Sequence, residues 1–412
     1  MFPSLLRSLP RLRRTWKPLN FSKPTFVRIP ASHKIKEETI PDYVASRYYP
    51  VRIGEIFKDR YQIVGKLGFG TSSTVWLARD MNRCRYVTLK IFIKSTSMGQ
   101  QLDDELKMYQ RLERGSKSHP GRNAVRSLLD SFDVDGPDDK HRCLVHPPLW
   151  ESVLTFLHRN PVRRLPKPNA KLYIRVCAPV LSSSASITCL SENPISIKAD
   201  NIMFGIADDS VLSDSEEREL QAPCPRKELD GRIIYVSREL RMPKEWGAPV
   251  LCDFGTAMSG AIEHTEDIQP NIYRAPEVIL EAPWTYSVDI WNVGCMIWDI
   301  FEGESLFTGQ DPELRTYRSR AHLAETISLL GPPPLSLLAQ GKLTHKFFSD
   351  QGDFCAGIPI QGRIPLEERE TTLEGQDKAS FLRFMRKMLQ WEPSKRSSAK
   401  ELKEDEWIRS NL

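Results

Sequence analysis

A few side chains, widely spaced along this 412-residue chain, have the types needed to hold a polyphosphate and a divalent cation. Lys90 lies inside the apolar run R-Y-V-T-L-K-I-F-I. An ammonium there is costly unless anions meet it, and phosphates together with a carboxylate would do so. Glu105, in the helix-like stretch Q-L-D-D-E-L-K-M-Y-Q-R-L, is the natural carboxylate. Asp253 follows the apolar V-L-C and precedes Phe254-Gly255, a hard oxygen ligand placed where Mg2+ would bridge phosphates. The segment Y-Q-I-V-G-K-L-G-F-G-T-S-S-T-V-W-L-A-R reads as two strands around a glycine-rich turn. Gly68 and Gly70 would let backbone N–H groups approach phosphates, while Leu67 and Val75 would flank an adenine. Together these groups suit phosphoryl transfer from ATP with Mg2+. Each also has a plain alternative: a snorkelling lysine, a solvated acidic turn, or a strand turn whose third glycine is replaced by Ser73.

Further motifs follow in order. Y-R-A-P-E-V-I-L carries Ala275-Pro276-Glu277, Y-S-V-D-I-W-N-V-G-C-M-I-W carries Asp289 near the start of an apolar helix, and W-E-P-S-K-R-S-S-A-K-E-L carries Arg396, the expected ion-pair partner of Glu277. With L-S-E-N-P-I-S-I-K-A-D-N-I-M-F upstream, the series resembles a eukaryotic protein kinase over residues 57 to 409. Within that superfamily it is most similar to the SR-protein kinases, on S-S-T-V-W-L, I-K-A-D-N and T-E-D-I-Q. D-F-G and A-P-E depart from the usual D-L-G and S-L-E of that group and point to a divergent branch.

The resemblance implies an α+β, bilobal fold with a small β-rich N-lobe carrying one helix and a larger helical C-lobe. It implies roles for Lys90 on the α/β-phosphates, Glu105 orienting it, Lys198 on the γ-phosphate, and Asn201 and Asp253 on the metal. It implies hinge contacts to adenine from the Pro147 carbonyl and the Leu149 N–H, with His146 behind them as an ordinary buried histidine. Proline loses only its own N–H, so the hinge can still serve. It also implies an activation segment, carrying Thr265, Glu266 and Asp267, that needs no phosphorylation. Partners would be ATP and serines in Arg/Ser-rich proteins, with no direct nucleic-acid binding.

The catalytic loop departs from its pattern. In H-x-D-x-K-x-x-N, the His position is Pro194 and the Asp position is Ser196. A serine hydroxyl is not ionised at neutral pH and cannot be the carboxylate base. The preceding K-L-Y-I-R-V-C-A-P-V-L-S-S-S-A-S-I-T-C-L is poor helix material, with Pro179 and a Ser-rich stretch where a long amphipathic helix belongs. One codon set for Leu-Asp-Tyr-Leu, CTC GAT TAC CTG, read one base later gives Ser-Ile-Thr followed by Cys or Trp, and Ser186 to Cys189 spell Ser-Ile-Thr-Cys. Three accounts stay open: a frameshift or splice misassignment over residues 171 to 196, a nucleotide-binding pseudokinase that scaffolds other proteins, or, if the odd segment is translated and the C-lobe cannot close, a misfolded fragment without function.

The organisation expected is a basic N-terminal tail over residues 1 to 56, an N-lobe over 57 to 145, and hinge plus C-lobe over 146 to 412. The charged insert from about 206 to 246 is expected to be an exposed excursion. Nine Lys or Arg precede the first acid, Glu37; subtracting them from 58 leaves 49 bases against 53 acids, about −4 for the body while the whole carries +5. The acid-free start, with Arg7, Arg11, Arg13 and Arg14 among apolar residues, has transit-peptide composition, although its prolines oppose an amphipathic helix. Mitochondrial targeting therefore stands beside the cytoplasmic or nuclear location that the resemblance implies. No apolar run is long enough to span a bilayer. The 8 cysteines are scattered, with no C-x-x-C pair, which favours reduced thiols over a disulfide framework or zinc site.

Overall fold

The computed structural model describes residues 15–21, 25–98, 101–115, 120–159, 199–255 and 263–410. The chain divides into two compact units. One combines residues 1–102, 127–148 and 206–245, the other residues 103–126, 149–205 and 246–412. An antiparallel β-sheet in the first and a mainly helical second unit give the α+β kinase architecture that the motifs imply.

In the first unit, β1 (Ile56–Phe57), β2 (Tyr61–Phe69), β3 (Ser73–Asp80), β4 (Arg85–Phe92), β5 (Asp130–Asp135) and β6 (Lys140–His146) form a six-stranded sheet. The strand order is β1-β2-β3-β4-β6-β5. Side chains alternate across a pleated strand, so Trp76 and Ala78 of β3 and Val87, Leu89 and Ile91 of β4 share one buried face. Lys90 is thereby turned to the other face.

The described residues before β1 are not a loose tail. Trp16 N–H donates to the Met81 carbonyl at 2.9 Å, and the Gln62 amide exchanges two 2.8 Å hydrogen bonds with the Leu19 backbone. Glu37 forms a buried ion pair with Lys66 of β2. Residues 1–14, which hold the four arginines of the targeting reading, lie outside the described residues.

The insert likewise departs from expectation. It contains the helix Ser210–Gln221 and a hairpin of β9 (Arg226–Leu229) and β10 (Arg232–Tyr235). Asp230 and Gly231 both take positive φ, 49° and 76°, as a two-residue hairpin turn requires. Cys224 and Tyr235 join the sheet's apolar core, and Val211 and Leu212 are buried. The insert is a packed part of the first unit rather than a solvated excursion, because its charges are paired at short range. Arg79 meets Glu216 at 3.2 Å and Arg238 meets Glu219 at 2.9 Å.

In the second unit, β7 (Leu149–Ser152), β8 (Ile202–Ile206) and β11 (Trp246–Leu251) form a three-stranded sheet in the order β11-β8-β7. Gly205 and Gly247 face each other across it. A Cβ on Gly205 would lie 2.9 Å from the Ala248 oxygen, and one on Gly247 would lie 2.8 Å from the Gly205 carbonyl carbon. The helix Ser287–Glu302 is buried almost throughout and is stopped by Gly303 at φ 78°. The helices Ser319–Leu330 and Gly375–Met388 supply the remaining long elements of the core.

Candidate functional site

Strand register assembles half of the predicted site. Gly68 opposes Val75, Val75 opposes Lys90, and Lys90 opposes Leu144, so one row crosses β2, β3, β4 and β6. Opposed residues share a face. Val75 and Lys90 therefore stand side by side away from the apolar core, with Lys90 Nζ 4.9 Å from the Phe92 ring centroid. Gly68 has neither a positive φ nor a close neighbour; a Cβ there would meet nothing within 4 Å. Among the described residues nothing demands glycine at this position, and the space beside it suits a ligand. At the turn, Gly70 N–H donates to the Ser73 carbonyl at 2.8 Å, and the Tyr48 hydroxyl lies 3.0 Å from both the Gly70 and Thr71 carbonyl oxygens.

Glu105, Asn201 and Asp253 belong to the second unit. Glu105 and Tyr109, one turn apart on the helix Gln101–Arg114, both face the segment just after β11 that carries Asp253. Tyr109 meets Phe254 edge-on at 5.1 Å between centroids. The Glu105 Oε2 oxygen lies so near Gly255 that a Cβ there would be 3.3 Å from it. Asp253 is exposed and held at φ 63°, a left-handed conformation that costs a non-glycine residue about 1–3 kcal/mol and recurs at functional sites. Cys252 N–H donates to the Asn201 carbonyl at 2.7 Å, which draws the Asn201 and Asp253 positions together. Both offer oxygen ligands, the donor set that Mg2+ takes when most of its remaining positions go to water and phosphate.

Leu67 lies on β2 beside Gly68, Pro147 follows β6, and Leu149 opens β7. His146 is fully buried with Nδ1 2.9 Å from the Ser127 carbonyl oxygen, the ordinary role expected of it. Ser196 and Lys198, and residues 171 to 196 as a whole, lie outside the described residues.

Carboxylates beside the loop form a feature that motif reading does not single out. A cavity of about 330 Å3 adjoining the Ala199–Asn201 turn is lined by Asp200, Asp299 and Glu304 together with Tyr273 and Ser305. Asp299 Oδ2 accepts from the Tyr273 hydroxyl at 2.7 Å and the Ser305 hydroxyl at 3.0 Å, and Oδ1 accepts from Leu306 N–H at 3.2 Å. Burial outweighs these donors and pushes its carboxyl up to about 7. The only sequence signal is Asp200 within K-A-D-N; Asp299 looks like one polar residue on an apolar helix. Tyr48 and the hairpin were also missed, although the Asp-Gly pair at 230–231 is a hairpin signal.

Among the described residues, several contacts hold the segment before A-P-E. His264 stacks on Trp284 at 4.6 Å and exchanges backbone hydrogen bonds with it, and Trp284 Nε1–H donates to the Glu266 carbonyl at 3.0 Å. Arg274 meets Asp267 at 3.0 Å.

Comparison with known proteins agrees with this geometry. A family model described as the protein kinase domain matches residues 242–408. The chain is 38% identical over 379 residues to a serine/threonine protein kinase of Aspergillus fumigatus, covering 91% of each. It is 30% identical over 391 residues to the serine/threonine-protein kinase SRPK of Physarum polycephalum, covering 89% of this chain and 90% of that one. It is also 22% identical to the mouse SRSF protein kinase 3, over 90% of each. On these matches, and with its glycine-rich turn, strand lysine and D-F-G segment in place, the chain belongs to the serine/threonine protein kinase family.

Proposed function

We propose that this chain binds Mg-ATP and serves phosphoryl transfer to serines in Arg/Ser-rich proteins. Lys90 would hold the α/β-phosphates, with Gly68 and Gly70 admitting them to the turn and Leu67 and Val75 covering the adenine. Pro147 and Leu149 would supply the hinge contacts, and Glu105 would orient Lys90. Asn201 and Asp253 would ligate Mg2+, which neutralises phosphate charge when bound. Lys198 would meet the γ-phosphate. Ser196 cannot take the substrate proton, so the chain as written would bind its substrates far better than it turns them over.

The observation that supports an arginine-directed substrate is the carboxylate-lined cavity next to the Ala199–Asn201 turn. A guanidinium presents a planar fork of donors that matches carboxylates, which an ammonium does not. A guanidinium entering the cavity would also favour the ionised form of Asp299, whose proton is otherwise retained up to about pH 7. The names of the SRSF and SRPK relatives point the same way. The stacked and hydrogen-bonded His264–Trp284 pair, with Asp267 on Arg274, supports an activation segment ordered without phosphate.

The test is binding of labelled Arg-Ser and Lys-Ser repeat peptides to the full chain, read by anisotropy in the presence of Mg-ATP. The Arg repeat should bind at least about tenfold more tightly, and Asp299→Asn with Asp200→Asn should remove the difference. Equal affinities for the two repeats would reject the proposed substrate class.

A further inference from the structure

The hydroxyl of Tyr48 is the sole polar atom of a side chain that is otherwise buried, 8% exposed, and it is spent on two carbonyls of the glycine-rich turn. The residue itself is held from three sides. The Tyr43 ring stacks on it at 5.2 Å with 26° between planes. The next backbone group upstream, the Arg47 carbonyl, accepts Lys94 N–H at 2.9 Å just past β4. Arg232, at the start of β10 in the insert, donates from both Nη atoms to the Tyr48 carbonyl at 2.8 Å, and from Nη1 to the Ala45 carbonyl. A continuous set of hydrogen bonds therefore runs from the insert hairpin through the Tyr48 backbone and ring to the Gly70 and Thr71 carbonyls, all within the first unit.

A glycine-rich turn gains close approach to phosphate at the expense of order, since glycine adopts more backbone conformations than any other residue. The turn here has a single internal hydrogen bond, Gly70 to Ser73. A donor fixed by rigid neighbours and aimed at the turn's carbonyls restores that order and leaves the turn's N–H groups, apart from that of Gly70, to the ligand. We propose that Tyr48 is a positioning residue for nucleotide phosphates, and that Arg232 of the insert is its anchor. This role rests on the Mg-ATP reading above for its ligand and on the latch geometry alone for its effect on the turn.

Two measurements on the full chain separate those layers. Amide hydrogen exchange over residues 68–73 without nucleotide reads the latch directly. Tyr48→Phe, which removes one oxygen and no packing, should speed exchange there about three- to tenfold, the worth of one net hydrogen bond. Arg232→Ala should do the same from a distance. Isothermal titration then compares Mg-ATP with adenosine, which has no phosphates. Tyr48→Phe should weaken Mg-ATP by about three- to tenfold and leave adenosine unchanged. Unchanged exchange in Tyr48→Phe overturns the latch, and equal weakening of ATP and adenosine overturns the phosphate-positioning role. If the unsubstituted chain binds no Mg-ATP, the nucleotide reading fails and the positioning role falls with it, while exchange still decides whether the latch exists.

Discussion

Arg396 grips Glu277 with both arms: Nη1 to Oε1 at 2.6 Å and Nη2 to Oε2 at 2.7 Å, both side chains fully buried and 119 residues apart in sequence. Arg396 also donates to the Ser287 and Gln390 carbonyls, so its donors are well used. Removing either partner strands a charge where water cannot reach. Glu277→Gln and Arg396→Met should each destabilise the protein by about 3–5 kcal/mol. The double variant should lose less than the sum, as urea unfolding of the four proteins would show.

Lys66 and Glu37 make a second test of the same physics. Burial pushes the Lys66 ammonium down, and the Glu37 carboxylate opposes that shift. Glu37→Gln leaves the ammonium buried and should cost about 3–5 kcal/mol, whereas Glu37→Gln with Lys66→Met should recover most of it. A thermal midpoint for Glu37→Gln equal to that of the unsubstituted chain would show that residues 25–56 do not hold the sheet as described.

Mg-ATP at a hundredfold above its Kd should stabilise the folded protein by about 2.7 kcal/mol through linkage. Lys90→Ala or Asp253→Ala should cut the thermal shift, and removing magnesium with a chelator should cut it further. An equal shift in Lys90→Ala would show that nucleotide does not use the β4 lysine.

Asp299 sets a pH dependence. Its folded pKa, about 7, lies above the ordinary carboxylate value of 3.8, so the folded state holds the proton more tightly than the unfolded chain does. Its contribution to stability is complete below about pH 4 and is lost as pH rises towards 7. Asp299→Asn should flatten that part of the stability curve in urea titrations at pH 5 and 8. Affinity for an Arg-Ser peptide should change in the opposite sense, rising between pH 6 and 8 as the carboxylate ionises.

Ser196 and its approach give the remaining prediction. Transcripts from the source should encode a helix ending in an L-D-Y-L-H-like string and a loop of the form H-x-D-I-K-A-D-N. Protein from such a transcript should phosphorylate about a thousandfold faster than the chain as written. Ser196→Asp alone should rescue little, since the helix before the loop would remain altered. Transcripts that confirm the Ser-rich stretch base for base would favour the pseudokinase account.

The parts legible in sequence were those in which chemistry and periodicity coincide. Lys90 is conspicuous because it interrupts an apolar strand, Asp253 because it ends one, and the Glu277–Arg396 pair through the family pattern. The N-terminal segment and the insert were not legible, because what folds them lies far away along the chain. Lys66 waits for Glu37 and Arg232 for the Tyr48 carbonyl, and charged sequence looks solvated until its partners are known. In the helix Ser210–Gln221, Val211, Leu212, Ser215 and Glu219 form a buried face, but half of it is polar and the apolar period is hidden.

The facing glycines of β8 and β11 bear on how far the connection between those strands can change. Because Gly205 and Gly247 admit no side chain between their backbones, the two strands lock in register by direct main-chain approach. Asn201 and Asp253 sit together at one end of that strand pair, where Cys252 N–H donates to the Asn201 carbonyl, and their separation is inherited from it, not from the 39 residues that join β8 to β11. Lengthening a surface connection costs little once its ends are fixed. The exposed Asp230–Gly231 turn of that connection can therefore lengthen over generations while the geometry for a metal ion stays constant, provided that neither glycine acquires a side chain.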